Sequence, residues 1–138
     1  MPSRHTGRVL ALMGLYQIDL VDQDLKSVLE FQYYDKPTTA EEREYATFLI
    51  KGVVENLDLI DTYIQDHSEN WELSRISPVN RAILRLSVLS LLKEPLLPYQ
   101  VVINEALELT REFETQESVK FINGVLDSIR RKLNERRV

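Results

Sequence analysis

Apolar residues recur along the chain at spacings of three and four, the pattern of helices with one inward face. No segment alternates cleanly in the manner of a half-buried strand. Val9, Leu12, Met13, Tyr16 and Leu20 form one stripe and predict a first helix over about residues 5–20. A short second helix is expected around Leu25–Tyr34, with Asp35-Lys36-Pro37 breaking the chain after it. Thr39 with Glu42 reads as a capping box. It opens a long helix reaching about Ile64, with Phe48, Leu49, Val53, Leu57, Ile60 and Ile64 inward. His67-Ser68-Glu69-Asn70 is a polar break, and Trp71-Glu72-Leu73-Ser74-Arg75 reads as a short helical turn or an anchor.

Ser77-Pro78 is a strong helix start, with Ser as the cap and Pro at the first helical position. The segment after it, VNRAILRLSVLSLLK, is apolar almost all round. That predicts a central helix wrapped by others. Glu94–Pro98 is a connector, and Pro98 starts a helix with Val102, Ala106, Leu109 and Phe113 inward. Thr115 caps the last helix, whose stripe is Phe121, Ile122, Val125, Leu126, Ile129 and Leu133. Asn123-Gly124 falls inside that stripe. Asn-Gly is a strong hairpin signal, yet a hairpin here would strand Leu126, Ile129 and Leu133. Gly inside a helix costs about 1 kcal/mol relative to Ala. The expected compensation is close approach of another backbone or a ligand. The fold class is therefore all-α, a compact bundle of about seven helices.

Composition narrows this further. A chain of 138 residues with 43% hydrophobic and 28% charged residues suits one globular domain, 1–138. Four glycines and five prolines are too few for the turns of a sandwich or barrel. There is no cysteine, hence no disulfide framework and no thiolate chemistry. No apolar run approaches the roughly 18 residues of a membrane span. The first twenty residues lack a small-residue cleavage site and are not read as a signal peptide. A cytoplasmic location is expected.

The net charge of −5 is unevenly spread. Residues 1–16 carry Arg4 and Arg8 and no acid, while residues 17–99 carry 15 acids and 8 bases. Residues 118–138 carry six bases, Lys120, Arg130, Arg131, Lys132, Arg136 and Arg137, against Asp127 and Glu135. The ends suit a polyanion and the middle repels one. The plainer reading is that the last bases complement a helix C-terminus.

Catalytic signatures are missing. His5 and His67 are isolated and read as surface residues. Asp58 and Asp61 read as a solvated helix face rather than a metal site. Neither a phosphate-binding Gly loop nor a G-x-S-x-G elbow occurs. The expectation is a binding protein, not an enzyme, with no metal or cofactor. Arg4, His5 and Arg8 at one end, with Glu117, Ser118, Lys120, Phe121 and Asn123 at the other, supply cations, a ring and short polar groups. Those are the parts of a single-stranded RNA reader. Phe121 also lies on the apolar stripe, so core packing is its alternative role.

The phrases WELSRISPVNRAILRL (71–86), LPYQVVINEALELTREF (97–113) and ESVKFINGVLDSI (117–129) resemble the transcription antitermination factor NusB family. RVLALMGLYQIDL (8–20) is similar to that family's first helix. The resemblance spans essentially the whole chain. It implies two packed helical sub-bundles and no catalytic activity. The implied partners are single-stranded boxA RNA of ribosomal RNA leader transcripts, the ribosomal protein NusE and the transcription elongation complex. The implied outcome is read-through by RNA polymerase.

The resemblance also implies residue roles. Arg4, Arg8, Tyr16, Arg85, Glu117, Ser118, Lys120 and Phe121 would meet RNA, Arg85 having a buried ion pair as its alternative. Arg75, Asn80, Arg81 and Leu84 would face the protein partner. Three features depart from the family pattern. The N-terminal arginines are sparse, Asn80 stands where an acid is common, and Ser90 stands where a glutamate is usual. Two alternatives stand beside the adaptor reading. One is a NusB-like module serving a ribosomal RNA methyltransferase. The other is a self-associating helical module, a possible homodimer.

Overall fold

The computed structural model describes residues 3–69 and 72–137, with the side chains of residues 135–137 outside the description. Trp71, expected as an anchor, and the side chains of Arg136 and Arg137 lie outside the described residues. Seven α-helices follow in order: α1 (Arg4–Leu20), α2 (Leu25–Val28), α3 (Ala40–Glu55), α4 (Leu57–His67), α5 (Pro78–Lys93), α6 (Tyr99–Phe113) and α7 (Gln116–Arg137). A 3-10 turn at Leu73–Arg75 precedes α5. No strand occurs among the described residues. Among them, too, no helix is long and apolar enough to cross a membrane.

α5 is the central helix. It packs against α1, α3, α4, α6 and α7, every other long helix of the fold. Ile83, Leu84, Leu86 and Leu89 are fully buried along its length. Each contributes about 1.5–3 kcal/mol relative to exposure. A helix apolar on nearly every face has no other stable place.

The helix starts are fixed by short polar side chains. Ser3 Oγ accepts from Thr6 N at 3.1 Å and begins α1. The capping box at α3 is complete: Thr39 Oγ1 accepts from Glu42 N, and Glu42 Oε1 accepts from Thr39 N at 2.9 Å. Glu42 Oε2 also accepts from Ser3 N at 2.8 Å, tying the starts of α1 and α3 together.

Several expectations are corrected. The second helix stops at Val28, and Phe31 then takes a left-handed φ of 56°. That turn sends the Phe31 ring into the core. The long helix from Thr39 to Ile64 is two helices. Asn56 leaves helical geometry (φ −117°, ψ 22°), and its Nδ2 donates to Gly52 O at 2.8 Å. Phe48 and Leu57 are exposed, while Leu49, Val53, Ile60 and Ile64 are buried. On α1 the buried stripe is rotated to include Leu10, Ala11 and Leu15, which exposes Tyr16 and Leu20. Phe113 is likewise exposed. His67 is half-buried, its Nδ1 2.6 Å from Ser128 Oγ, and links α4 to α7.

The glycines divide into two kinds. At Gly52 an added Cβ would lie 2.6 Å from Leu89 Cδ2, so that glycine lets α3 approach α5. At Gly124 an added Cβ would meet nothing within 4 Å. The backbone approach expected at Asn123-Gly124 is not made by this chain.

Candidate nucleic-acid interface

The first turns of α5 and α7 meet. Ser77 Oγ caps α5 by accepting from Asn80 N at 3.2 Å, and it donates to Glu114 Oε1 at 2.7 Å. Thr115 Oγ1 accepts from Ser118 N at 3.4 Å at the start of α7. Asn80 Nδ2 donates to Ser118 Oγ at 2.9 Å and joins the two starts. Between them lies an open cleft of about 260 Å³, lined by residues that include Arg75, Asn80, Glu117, Ser118 and Phe121. Arg75 and Glu117 are exposed, and the Phe121 ring is half-buried. Two helix N-termini at one cleft place partial positive charge there, which suits a phosphate. Residues expected on separate RNA and protein faces thus share one cleft. Lys120 is exposed nearby on α7 and has no ion pair among the described residues.

A second, more apolar hollow of about 370 Å³ lies on the other side of the first α5 turn. Val79, Leu12, Met13, Tyr16, Tyr33 and Phe113 line it. Tyr33 OH donates to Leu10 O at 2.7 Å, and burial pushes its phenol well above the ordinary range. Tyr16, expected near RNA, is 37% exposed at this hollow. Amphipathic rings at a rim present flat apolar surface to a partner.

Four assigned residues turn out to be interior. Arg81 Nε and Nη2 both donate to Asp19 Oδ2, at 2.9 and 2.8 Å, and Nη1 donates to Ile76 O at 2.8 Å. Arg85 makes a two-pronged pair with Asp61, each bond 2.9 Å. Leu84 is 0% exposed. The expected protein-facing roles of Arg81 and Leu84 and the RNA-facing role of Arg85 do not fit these positions. The buried-pair alternative for Arg85 does. Asp61 is correspondingly no free surface acid. Arg81 and Arg85 also have their carboxylates without a glutamate at position 90. Ser90 Oγ instead donates to Glu94 Oε1 at 2.7 Å, and Tyr45 OH donates to the same oxygen at 2.8 Å.

Arg8 is the fourth. It is 4% exposed, with its guanidinium 5.4 Å from the Tyr45 ring centre and Nη1 3.5 Å from Glu105 Oε2. So placed, the guanidinium offers a phosphate almost no surface. His5 is half-buried rather than free. Its Nε2 lies 2.6 Å from Glu112 Oε1, and its Nδ1 lies 3.4 Å from Glu105 Oε2 and 3.9 Å from Glu108 Oε2. The α6 acids fall at positions 105, 108 and 112, one helical face, so they offset most of the N-terminal positive charge. Arg4 stays exposed, its guanidinium 4.1 Å over the Tyr45 ring. The 105/108/112 spacing was the readable signal for this neutralisation.

Residues 5–131 match the profile of the NusB family. A transcription antitermination protein NusB of Leptospira biflexa is 65% identical over 132 residues, covering 96% of this chain and 94% of the relative. Among solved structures, NusB of T. maritima superposes with a TM-score of 0.87 at 36% identity, covering 96% of this chain and 94% of that one. A crystal structure of antitermination factors NusB and NusE in complex with dsRNA superposes with a TM-score of 0.78 at 27% identity, covering 94% and 96%. A profile spanning almost the whole sequence and relatives this similar lead to one conclusion: the chain belongs to the NusB family.

Proposed function

We propose that this protein is a transcription antitermination factor. It binds the boxA element of ribosomal RNA leader transcripts together with ribosomal protein NusE, and the complex promotes read-through by RNA polymerase. It is a binding adaptor rather than a catalyst, and it works in the cytoplasm, where the transcripts are made. The cleft between the starts of α5 and α7 carries the reading. There a half-buried ring, a hydroxyl, an amide and two helix N-termini converge beside the exposed Lys120. Phe121 stacks a base, Ser118 and Glu117 meet base or sugar edges, and Lys120 and Arg4 meet phosphates. Arg75 and Asn80 contribute to the face for NusE, and the exposed Tyr16 meets RNA.

The test is a titration of labelled boxA RNA with the chain alone and with NusE, at two salt concentrations. Binding that NusE strengthens and salt weakens is expected. RNA that stays unbound even with NusE present would sink the proposal.

A further inference from the structure

We infer that the exposed face of α7 beginning at Gly124 is a track for the RNA sugar–phosphate backbone leading away from the Phe121 cleft. This rests on the RNA-binding reading above. Gly124 is a poor choice for an exposed helix interior. Inside the chain nothing requires it, since a Cβ there would meet no atom within 4 Å. Its helical φ needs no glycine either, as the chain has no glycine with positive φ. What remains is an approach from outside.

The charges around it say what approaches. Lys120, Asn123, Gly124, Asp127 and Arg131 recur at helical spacing and share one face. Lys120, Asn123, Gly124 and Arg131 are exposed. Asp127 is offset by two arginines: Arg130 Nη2 lies 2.6 Å from Oδ1, and Arg131 Nη2 lies 2.8 Å from Oδ2. Between Lys120 and Arg131 the face therefore carries an exposed lysine at one end and an exposed arginine at the other, and Asp127, the acid between them, is already paired, while the exposed Glu117 lies one turn before Lys120. Such a strip favours a polyanion. It starts one turn from Phe121, so a strand stacked on that ring runs onto it. Gly124 lets the sugar–phosphate chain lie against helix backbone, and the Asn123 amide offers donors to phosphate and acceptors to a ribose hydroxyl.

The experiment uses the full chain as Gly124→Ala and Gly124→Leu, beside the unsubstituted protein. Three quantities are read: thermal midpoint, affinity for boxA RNA in the presence of NusE, and affinity for NusE alone. Both substitutions are expected to raise Tm, by about 3–5 °C for Ala. RNA binding is expected to weaken about tenfold for Leu and less for Ala, through loss of close contact. NusE affinity is expected to stay unchanged. A substitution that stabilises the fold while weakening the complex marks a site reserved for a ligand. Unchanged RNA affinity in Gly124→Leu overturns the inference, as does a lowered Tm, which would assign the glycine to the fold. Lost NusE affinity with intact RNA affinity would assign the face to the protein. If the unsubstituted chain fails to bind RNA, the antitermination reading itself is at fault, and the comparison between variants is not what failed.

Discussion

Arg81 and Asp19 lock the start of α5 to the end of α1, two guanidinium nitrogens donating to one carboxylate oxygen at 2.9 and 2.8 Å. Arg85 Nη1 approaches the same oxygen at 3.6 Å. Removing the carboxylate leaves two mostly buried cations with less compensation, although Arg85 keeps Asp61 and Arg81 keeps Ile76 O. Asp19→Ala is expected to cost about 2–3 kcal/mol. Urea denaturation checks it. A loss under about 0.5 kcal/mol would mean that solvent already screens the pair.

Arg4 and Arg8, alike in sequence, differ in burial: Arg4 is exposed and Arg8 is enclosed. Arg8→Ala is expected to destabilise the fold by about 2–4 kcal/mol through lost packing on Tyr45 and a Glu105 left with His5 as its neighbour. Its effect on the salt dependence of RNA binding should be nil. Arg4→Ala should leave the thermal midpoint unchanged and lower the salt slope by about 0.7. Affinities at several salt concentrations, with Tm alongside, separate the two.

Phe121 is half-buried, so it divides its area between core and cleft. Phe121→Ala is expected to weaken RNA binding by about 1–3 kcal/mol, the value of one base–aromatic stack. The fold should lose less than the roughly 3–5 kcal/mol of a fully buried ring. Fluorescence anisotropy and chemical denaturation on one preparation give both numbers. A large stability loss with unchanged RNA affinity would return the ring to the core.

Glu42 carries an acid-sensitive link. Hydrogen bonds from the backbone N–H of Thr39 and then of Ser3 hold its carboxyl below the ordinary value of 4.5. A depressed carboxyl stabilises the fold above its unfolded pKa, and that contribution drains as pH falls through the folded value. Stability should therefore decline below about pH 4.5. Glu42→Gln should be less stable than the native chain at pH 7 and should converge with it at acid pH. Parallel curves would remove Glu42 as the cause.

Gly52 is the counterpart to Gly124. Its added Cβ would press 2.6 Å from Cδ2 of the fully buried Leu89. Gly52→Ala is expected to cost about 1–3 kcal/mol despite its better helix propensity. Calorimetry of the two Gly→Ala variants should give shifts of opposite sign.

Helix identity was legible wherever a cap and an apolar stripe agreed. Thr39 with Glu42 and Ser77 with Pro78 each began a helix where the chain pattern put it, because capping bonds are local and involve neighbours in sequence. The centrality of α5 was legible too, since a helix without a polar face can only be enclosed. The 71–86, 97–113 and 117–129 phrases were enough to indicate the family. The break at Asn56 was not legible: a single asparagine in a continuous apolar pattern gives no sign that its backbone leaves helical geometry while its amide bonds the Gly52 carbonyl.

What the sequence by itself determined is the helical inventory, the enclosed helix and the family, all set by local bonds and by periodicity. Which charges are available was decided only in three dimensions. Arg8 and Arg81 read as surface cations along the chain and Arg85 as either a surface cation or a buried ion-pair member, and each is largely enclosed because Glu105, Asp19 and Asp61 arrive from other helices. A charge tolerates burial only beside its opposite, and the chain brings those partners together from 24 to 97 residues away.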